Sequence, residues 1–139
     1  MIDLTKYEIP LPDIEDKDLS GYWHGVAQGE LRVQRSPSTG NLQWPPRGSA
    51  VGEPEFALEW VPVPGRGKLF SWTVVGHTAL PGYKDLIPYA VGIIQLEDVP
   101  VRMLGFIDEE PGSLVADEAM RVRFAPVREG IVLPIWRRA

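Results

Sequence analysis

The sequence predicts a mostly β protein in which one N-terminal helix and a β-hairpin precede a small antiparallel barrel. Only one segment, between Asp16 and Gly29, carries apolar residues at helical spacing. The remaining chain is a series of short apolar runs with strand-like alternation. The 14 glycines and 14 prolines separate many of these runs. Many short strands with Gly and Pro turns and little helix are typical of a small barrel.

Residues 1–14 are predicted to form an extended arm. Pro10 and Pro12 flank isolated apolar residues, and proline and its preceding residue disfavour a helix here. We expect such an arm to pack either on its own domain or on a partner.

The helix is predicted from the spacing of four apolar residues. Asp16 or Asp18 is placed to cap its start, and Gly29 is placed to end it. With two aromatic side chains on one stripe, this helix must pack against an apolar surface. The residues on the stripe are Leu19, Tyr22, Trp23 and Val26.

A hairpin follows the helix. Glu30 to Arg35 alternates polar and apolar residues, and the segment Ser36 to Asn41 has the composition of a turn. The chain then returns through Leu42 and Trp44.

Five further runs are assigned to the barrel, and their number suits an OB-fold. The apolar segment from Ile131 to Trp136 closes the barrel or meets a partner, because it is too apolar for a free tail. The runs are Phe56–Val63, Lys68–Val75, Tyr89–Leu96, Val101–Ile107 and Met120–Val127.

Composition limits the function. The 139 residues suit one ordinary domain, and the absence of cysteine excludes disulfides, thiolate metal sites and cysteine nucleophiles. The acidic N-terminus lacks signal-peptide features, and no apolar run reaches the roughly 20 residues of a membrane span, so we expect a cytoplasmic protein. A net charge of −5, with the basic residues scattered, argues against nucleic-acid binding.

The order of these pieces resembles a known family. An aromatic helix and strand (GYWHGVAQGELRVQR), a hairpin turn and Pro-Pro-Arg precede the segments LEWVPVPGRGKLFSWTVV, PYAVGIIQLE and VRMLGFID. This pattern resembles the small acyl-CoA-associated proteins in which a rubredoxin-like zinc ribbon precedes an OB-fold. The resemblance covers most of the chain from about Leu19 onward and implies domains at 1–54 (arm, helix, degenerate ribbon) and 55–139 (OB-fold).

The zinc ligands of that family are substituted here. In the family one Cys-x-x-Cys follows the Gln-Arg and a second follows the Pro-Arg, which places the four ligand positions at Ser36, Thr39, Ala50 and Glu53. Neutral side chains with one carboxylate do not make a zinc site. We therefore expect no metal, and a hairpin held by packing or by a partner.

The resemblance also implies a function. Family members are small subunits of thiolases and thiolase-like lipid-transfer-protein-type aldolases that act on steroid side chains. In those assemblies catalysis lies mainly in the large partner, so we expect a hetero-oligomer that shares acyl-CoA and binds no cofactor of its own.

Candidate contact residues come from loops, turns and aromatic side chains. The loop 77–88 combines an aromatic, a cation and apolar residues, and a Gly-Arg-Gly-Lys turn offers cations to an anionic group. Two tryptophans near proline-containing ends are candidates for exposure in the isolated chain. The set for ligand or partner contact is Arg66, Lys68, His77, Tyr83, Lys84, Trp44 and Trp136.

No catalytic residue is predicted. His24 lies within the helix and is interpreted as a structural or partly exposed histidine, and the acidic groups Glu97-Asp98 and Asp108-Glu109-Glu110 are typical of solvated turns. A nucleophile with an oriented base is not recognisable. Two alternatives remain open: a stand-alone OB-fold protein that binds acyl-CoA or another small ligand, and an OB-fold that binds single-stranded nucleic acid.

Overall fold

The computed structural model describes residues 1–54 and 57–139 and confirms a mostly β protein with one α-helix. Within these ranges no helix is long and apolar enough to cross a membrane. Short 3-10 turns lie at Leu4–Lys6, Pro81–Tyr83 and Pro111–Ser113. The helix and strands are α1 (Ser20–Ala27), β1 (Leu31–Arg35), β2 (Leu42–Gln43), β3 (Glu59–Val63), β4 (Arg66–Val75), β5 (Tyr89–Leu96), β6 (Arg102–Ile107), β7 (Ala119–Pro126) and β8 (Val132–Arg138).

The last five strands form the predicted OB-fold barrel. It is closed, in the order β4-β5-β6-β8-β7, with β7 pairing back onto β4. All neighbours are antiparallel except β6 and β8, which are parallel and meet at Ile107 and Trp136. A five-stranded barrel with this crossing order is the Greek-key arrangement of OB-folds.

The first predicted barrel strand is assigned wrongly. The run from Phe56 to Val63 supplies β3, which pairs with β1 over all five residues and lies outside the barrel; Phe56 itself falls outside the described residues. Pro62 is compatible with a position outside the barrel, since proline lacks the N–H that a strand between two neighbours donates. In the order β2-β1-β3 this strand is at an edge, where that loss is tolerated.

The C-terminal segment supplies the fifth barrel strand, β8. β8 pairs with β7 along its whole length, from Met120–Arg138 to Pro126–Val132. Of the two alternatives for this apolar segment, closing the barrel is therefore correct.

The hairpin of β1 and β2 is also confirmed, with Gln34 opposite Gln43. The predicted domain boundary after residue 54 stays a prediction; β3, beyond it, belongs to the N-terminal sheet.

A single apolar core joins the N-terminal sheet to the barrel. Leu31 and Val33 of β1 are in the same buried cluster as Leu69 and Ile94 of the barrel. Trp136 also lies there and is 2% exposed, so its predicted exposure is wrong.

Gly105 on β6 makes room for the Trp136 ring. A Cβ at this glycine would lie 2.6 Å from the Trp136 Cδ1 and 2.8 Å from its Nε1. The glycine therefore allows an indole to pack close to the β6 backbone.

The N-terminal arm packs on its own domain. Leu4 and Ile9 are 3% and 2% exposed and join a second cluster with Ala125, Val127 and Ile135. The Arg128 guanidinium donates to the carbonyls of Tyr7 and Ile9 at 2.9 and 3.0 Å. The arm is thus held both by apolar burial and by charged hydrogen bonds.

Helix α1 lies within the predicted segment and begins later than predicted. It begins at Ser20, and Leu19 occupies the N-cap with no side-chain cap bond, so the predicted capping by Asp16 or Asp18 is wrong. Asp16 instead closes the preceding turn, where its carbonyl accepts from Ser20 N–H at 2.8 Å. Gly29, with φ of +76°, follows the helix end as predicted.

Candidate functional site

The most prominent cavity is an apolar cleft of about 540 Å³ beside the barrel. One side is the outer surface of β5, β6 and β8, and the other is built by the arm, helix α1 and the loop between β4 and β5. We call it the barrel cleft. Its lining residues are Leu4, Ile9, Tyr22, Trp23, Leu80, Tyr83, Leu86, Tyr89, Val91, Leu104, Gly105, Phe106, Leu133, Pro134 and Ile135.

The strand register explains why the barrel cleft is apolar. Val91 pairs with Phe106, and Ile93 pairs with Leu104, so these side chains share the outer face of the sheet. The alternate residues of β5, from Ala90 to Leu96, fill the barrel interior. Both faces of this part of the sheet are therefore apolar, whereas an antiparallel sheet with one face to water is normally polar on that face.

Aromatic rings form one wall of the barrel cleft. The Tyr83 ring lies 5.6 Å from Tyr89, and Tyr89 lies 5.6 Å from Phe106, measured between centroids. On the helix side, Tyr22 and Trp23 meet edge to face at 5.0 Å. Such ring contacts add stability beyond area burial and make a rigid wall.

The polar atoms of the barrel cleft are neutral. Burial raises the pKa of the Tyr22 phenol, and burial with the neighbouring Tyr89 raises the pKa of the Tyr83 phenol. Both groups therefore stay protonated at neutral pH. The Trp23 indole N–H is shielded from solvent and has no hydrogen-bond partner within the described protein. These groups suit an apolar or weakly polar contact and do not offer an acid or a base.

Part of the barrel cleft reaches the surface. Leu104 is 71% exposed and Leu80 is 53% exposed at its rim. Phe70, on β4, is 47% exposed and has the Arg102 guanidinium 3.8 Å above its ring. Large exposed apolar side chains on adjacent elements mark interaction surfaces more often than isolated ones do.

The structure separates the predicted contact residues. Only Tyr83 lines the barrel cleft, and the neighbouring Lys84 is exposed in its loop. Arg66 and Lys68 line a different cavity of about 370 Å³, where Arg66 forms an ion pair with Glu97. His77 is exposed at the end of β4.

The two tryptophans of the predicted set differ. Trp44 is half-buried and packs on Tyr22, with 5.2 Å between ring centroids. Trp136 lies in the core and presents no surface for contact.

Leu80, Tyr89, Leu104 and Phe106 were not predicted from the sequence. Leu80 lies in the loop 77–88, whose apolar residues were noted as a group, and the signal for the other three is the composition of the runs Tyr89–Leu96 and Val101–Ile107, in which apolar residues occupy both alternating positions. Such a run indicates a strand covered on both faces. In this structure the outer face of β5 and β6 lines the barrel cleft and is only partly covered.

The four positions that the resemblance implies as substituted zinc ligands lie close together. Ser36 and Glu53 are joined by a side-chain hydrogen bond, and Thr39 N–H donates to the Ser36 hydroxyl at 3.3 Å. Ser36, Thr39 and Ala50 line one small cavity. Across the described residues, no group of three or more His, Cys, Asp or Glu side chains is placed to hold a metal ion.

Comparisons with known proteins agree with this architecture. Residues 60–125 match the family described as the ChsH2 C-terminal OB-fold domain. The chain is 34% identical over 89 residues to the 3-oxo-4,17-pregnadiene-20-carboxyl-CoA hydratase alpha subunit of Mycobacterium tuberculosis, which covers 64% of this chain and 27% of that protein. It is 31% identical over 72 residues to a DUF35 domain-containing scaffold protein of Methanothermobacter thermautotrophicus, covering 52% and 53%.

The matched segment thus spans well under two thirds of the length of either curated relative. Among solved structures, the fold is similar to a chain of the Ltp2-ChsH2(DUF35) aldolase, with a TM-score of 0.79 and 21% identity. That match covers 91% of this chain and 98% of the other.

Proposed function

We propose, starting from the match of residues 60–125 to the ChsH2 C-terminal OB-fold domain family, that this chain is a non-catalytic accessory subunit of a thiolase-like acyl-CoA enzyme. The observation that carries the proposal is the fold match over almost the whole chain to a component of an aldolase complex. The large partner would make or break a carbon–carbon bond next to a thioester, by Claisen-type or retro-aldol chemistry.

The residues of this chain support a binding role. His24 and His77 are both exposed, on α1 and after β4 respectively. The acidic residues around Asp108 and Glu118 serve in ion pairs with Arg123 and Arg138. The two carboxylates thus have structural partners, and in the described part of the chain neither the histidines nor these carboxylates line the barrel cleft.

The barrel cleft and its exposed rim supply the docking surface. Leu104 and Leu80 give an apolar patch that water solvates poorly, with ordered aromatic rings behind it. Interface cores are built from such apolar and aromatic anchors in partly formed pockets. A partner subunit covering this surface would supply the second face that β5 and β6 lack.

A shared acyl-CoA ligand fits the same region. The volume of about 540 Å³ lies within the usual range for ligand pockets, and the lining is apolar with neutral phenols. We place the apolar acyl group of the thioester here, at the junction with the partner. A cytoplasmic location belongs to the same proposal.

The experiment is co-purification from the native host with a docking variant and a matched control. Leu104→Lys places a charge on the proposed surface, whereas Val115→Lys changes an apolar residue that is 61% exposed and does not line the barrel cleft. We expect the wild type and Val115→Lys to recover a thiolase-like protein near one-to-one. Leu104→Lys should weaken association by at least about tenfold, since it replaces an exposed apolar anchor of the proposed surface by a charge.

Two results would count against the proposal. Recovery of the wild-type chain alone, folded and monomeric, would show that it has no such partner. Equal recovery of the thiolase-like protein by both lysine variants would show that the barrel cleft is not the docking surface.

A second candidate function is stand-alone binding of a CoA ester or another apolar ligand, favoured by the volume of the barrel cleft. It predicts saturable binding of the thioester by the isolated chain. The subunit proposal predicts such binding only with the partner present.

A further inference from the structure

The turn between β1 and β2 is tied to a segment well beyond it in the chain. Glu53 accepts hydrogen bonds at one carboxylate oxygen, Oε1, from the hydroxyls of Ser36 and Ser38 and from the Ser38 N–H, the last at 3.1 Å. These contacts span 15 and 17 residues. They join the turn to the segment that follows β2.

Bonds within the turn and the Glu53 segment continue this network. Thr39 N–H donates to the Ser36 hydroxyl at 3.3 Å, and Gly40 N–H donates to the Ser36 carbonyl at 2.8 Å. Glu53 N–H donates to the Ala50 carbonyl at 3.0 Å. Side-chain or backbone groups of Ser36, Thr39, Ala50 and Glu53 therefore all take part in closing one loop.

Glu53 gives the buried Ser36 hydroxyl a charged acceptor for its proton. Ser36 is 5% exposed, and a buried hydroxyl without a partner carries a desolvation penalty. The hydrogen bond to a carboxylate removes that penalty and is stronger than one to a neutral acceptor.

We propose that Glu53 is the anchor of a metal-free closure that holds the hairpin turn in place. A single carboxylate at the meeting point of several donors does there what a central ion does in a metal knuckle: it fixes groups from two separate segments around one point. Its donors are two hydroxyls and one backbone N–H, all uncharged, so the closure depends on geometry rather than on an ion pair. The proposal stands independently of the partner enzyme.

The charge state of Glu53 supports this role. The hydrogen bond from Ser36, followed by those from Ser38, holds the pKa of the Glu53 carboxyl below its usual range. The acceptor is therefore ionised at neutral pH.

The test is native-state hydrogen exchange of the Ser36, Ser38 and Gly40 amides. Glu53→Ala should speed exchange at these amides by about tenfold, the order expected when hydrogen bonds to a charged acceptor are lost. Glu53→Gln should keep most of the protection, because it retains one acceptor oxygen. Ser36→Ala in the Glu53→Ala background should add little, since the two groups act through one bond.

Glu59→Ala is the control. Glu59 lies on β3 of the N-terminal sheet and forms a 2.9 Å ion pair with Arg35, close to the turn. We expect it to leave the three turn amides unchanged. The barrel amides of Ala90, Gly92 and Ile94 report whether the fold is intact.

Three outcomes would overturn the proposal: no protection of the turn amides in the wild type, equal effects of Glu53→Ala and Glu59→Ala, or a loss of protection in Glu53→Ala that spreads equally to the barrel. The last would assign Glu53 to global stability instead of the closure.

Discussion

At the scale of residues, the C-terminal end of the barrel is fixed by one arginine. Arg138 donates from Nε to the Glu118 carboxylate at 2.5 Å, and its backbone N–H donates to Glu109 at 2.9 Å. Its guanidinium also donates to the Ser113 carbonyl at 3.0 Å. These bonds join the end of β8 to the connection between β6 and β7.

This contact predicts a stability that depends on pH. The hydrogen bond from Arg138 holds the pKa of Glu118 below its ordinary value of 4.5. The folded state thus favours the carboxylate, and the pair stabilises the fold above pH 4.5 and loses that contribution as the pH falls through the folded pKa. Urea unfolding between about pH 6 and pH 3 should show a shallower loss of unfolding free energy in Glu118→Gln than in the wild type.

Parallel curves for the two proteins would show that the pair contributes nothing to the acid dependence. Glu110→Gln is a suitable control, since Glu110 is an exposed carboxylate in the same connection. It should reproduce the wild-type curve.

Residue roles were only partly predictable from the sequence. Tyr83 follows from the composition of the loop 77–88, which combines an aromatic, a cation and apolar residues suited to a ligand or partner. Trp136 was misjudged because its neighbouring proline suggested an end, whereas the strand it belongs to is paired along its length. Leu104 has only the signal of its run, in which apolar residues occupy both alternating positions, and its exposure depends on what the outer face of β6 packs against.

At the scale of elements, the contact between β6 and β8 depends on a missing side chain. Gly105→Ala would bring a Cβ to within 2.6 Å of the Trp136 ring, which is fixed in the core. Overpacking of this kind costs about 1–3 kcal/mol of unfolding free energy. Gly112→Ala is the control, because nothing lies within 4 Å of a Cβ there.

Urea unfolding of the two alanine variants tests this packing. Equal stability of Gly105→Ala and Gly112→Ala would mean that β6 can move away from Trp136 at no cost. The barrel junction would then be looser than its geometry indicates.

Elements with a local signal were predicted well. The helix and the hairpin follow from spacing and turn composition within a few residues of chain. The membership of β3 and β8 depends on which distant strands they pair with, which a single sequence does not encode locally. Pro62 favours an edge position for β3, but proline alone does not decide membership, because β8 carries Pro134 and lies between β6 and β7.

At the scale of the whole molecule, the N-terminal elements and the barrel pack together, and an apolar surface beside the barrel stays exposed. The N-terminal sheet and the barrel share a core, and the arm is held onto the barrel by Arg128 and buried leucine and isoleucine side chains. The exposed apolar surface is the barrel cleft, with Leu104 and Leu80 at its rim. The fold was predictable from strand count and family resemblance, whereas this surface required the assembled barrel and arm.

We propose that this chain supports catalysis by a large partner without performing it. The most direct measurement is carbon–carbon bond cleavage of an acyl-CoA thioester by the large partner alone, by this chain alone, and by the two combined. We predict that this chain alone is inactive, that the partner alone is at least about tenfold slower than the complex, which corresponds to about 1.4 kcal/mol, and that adding this chain back restores the rate. A partner that keeps full activity without this chain would contradict the account.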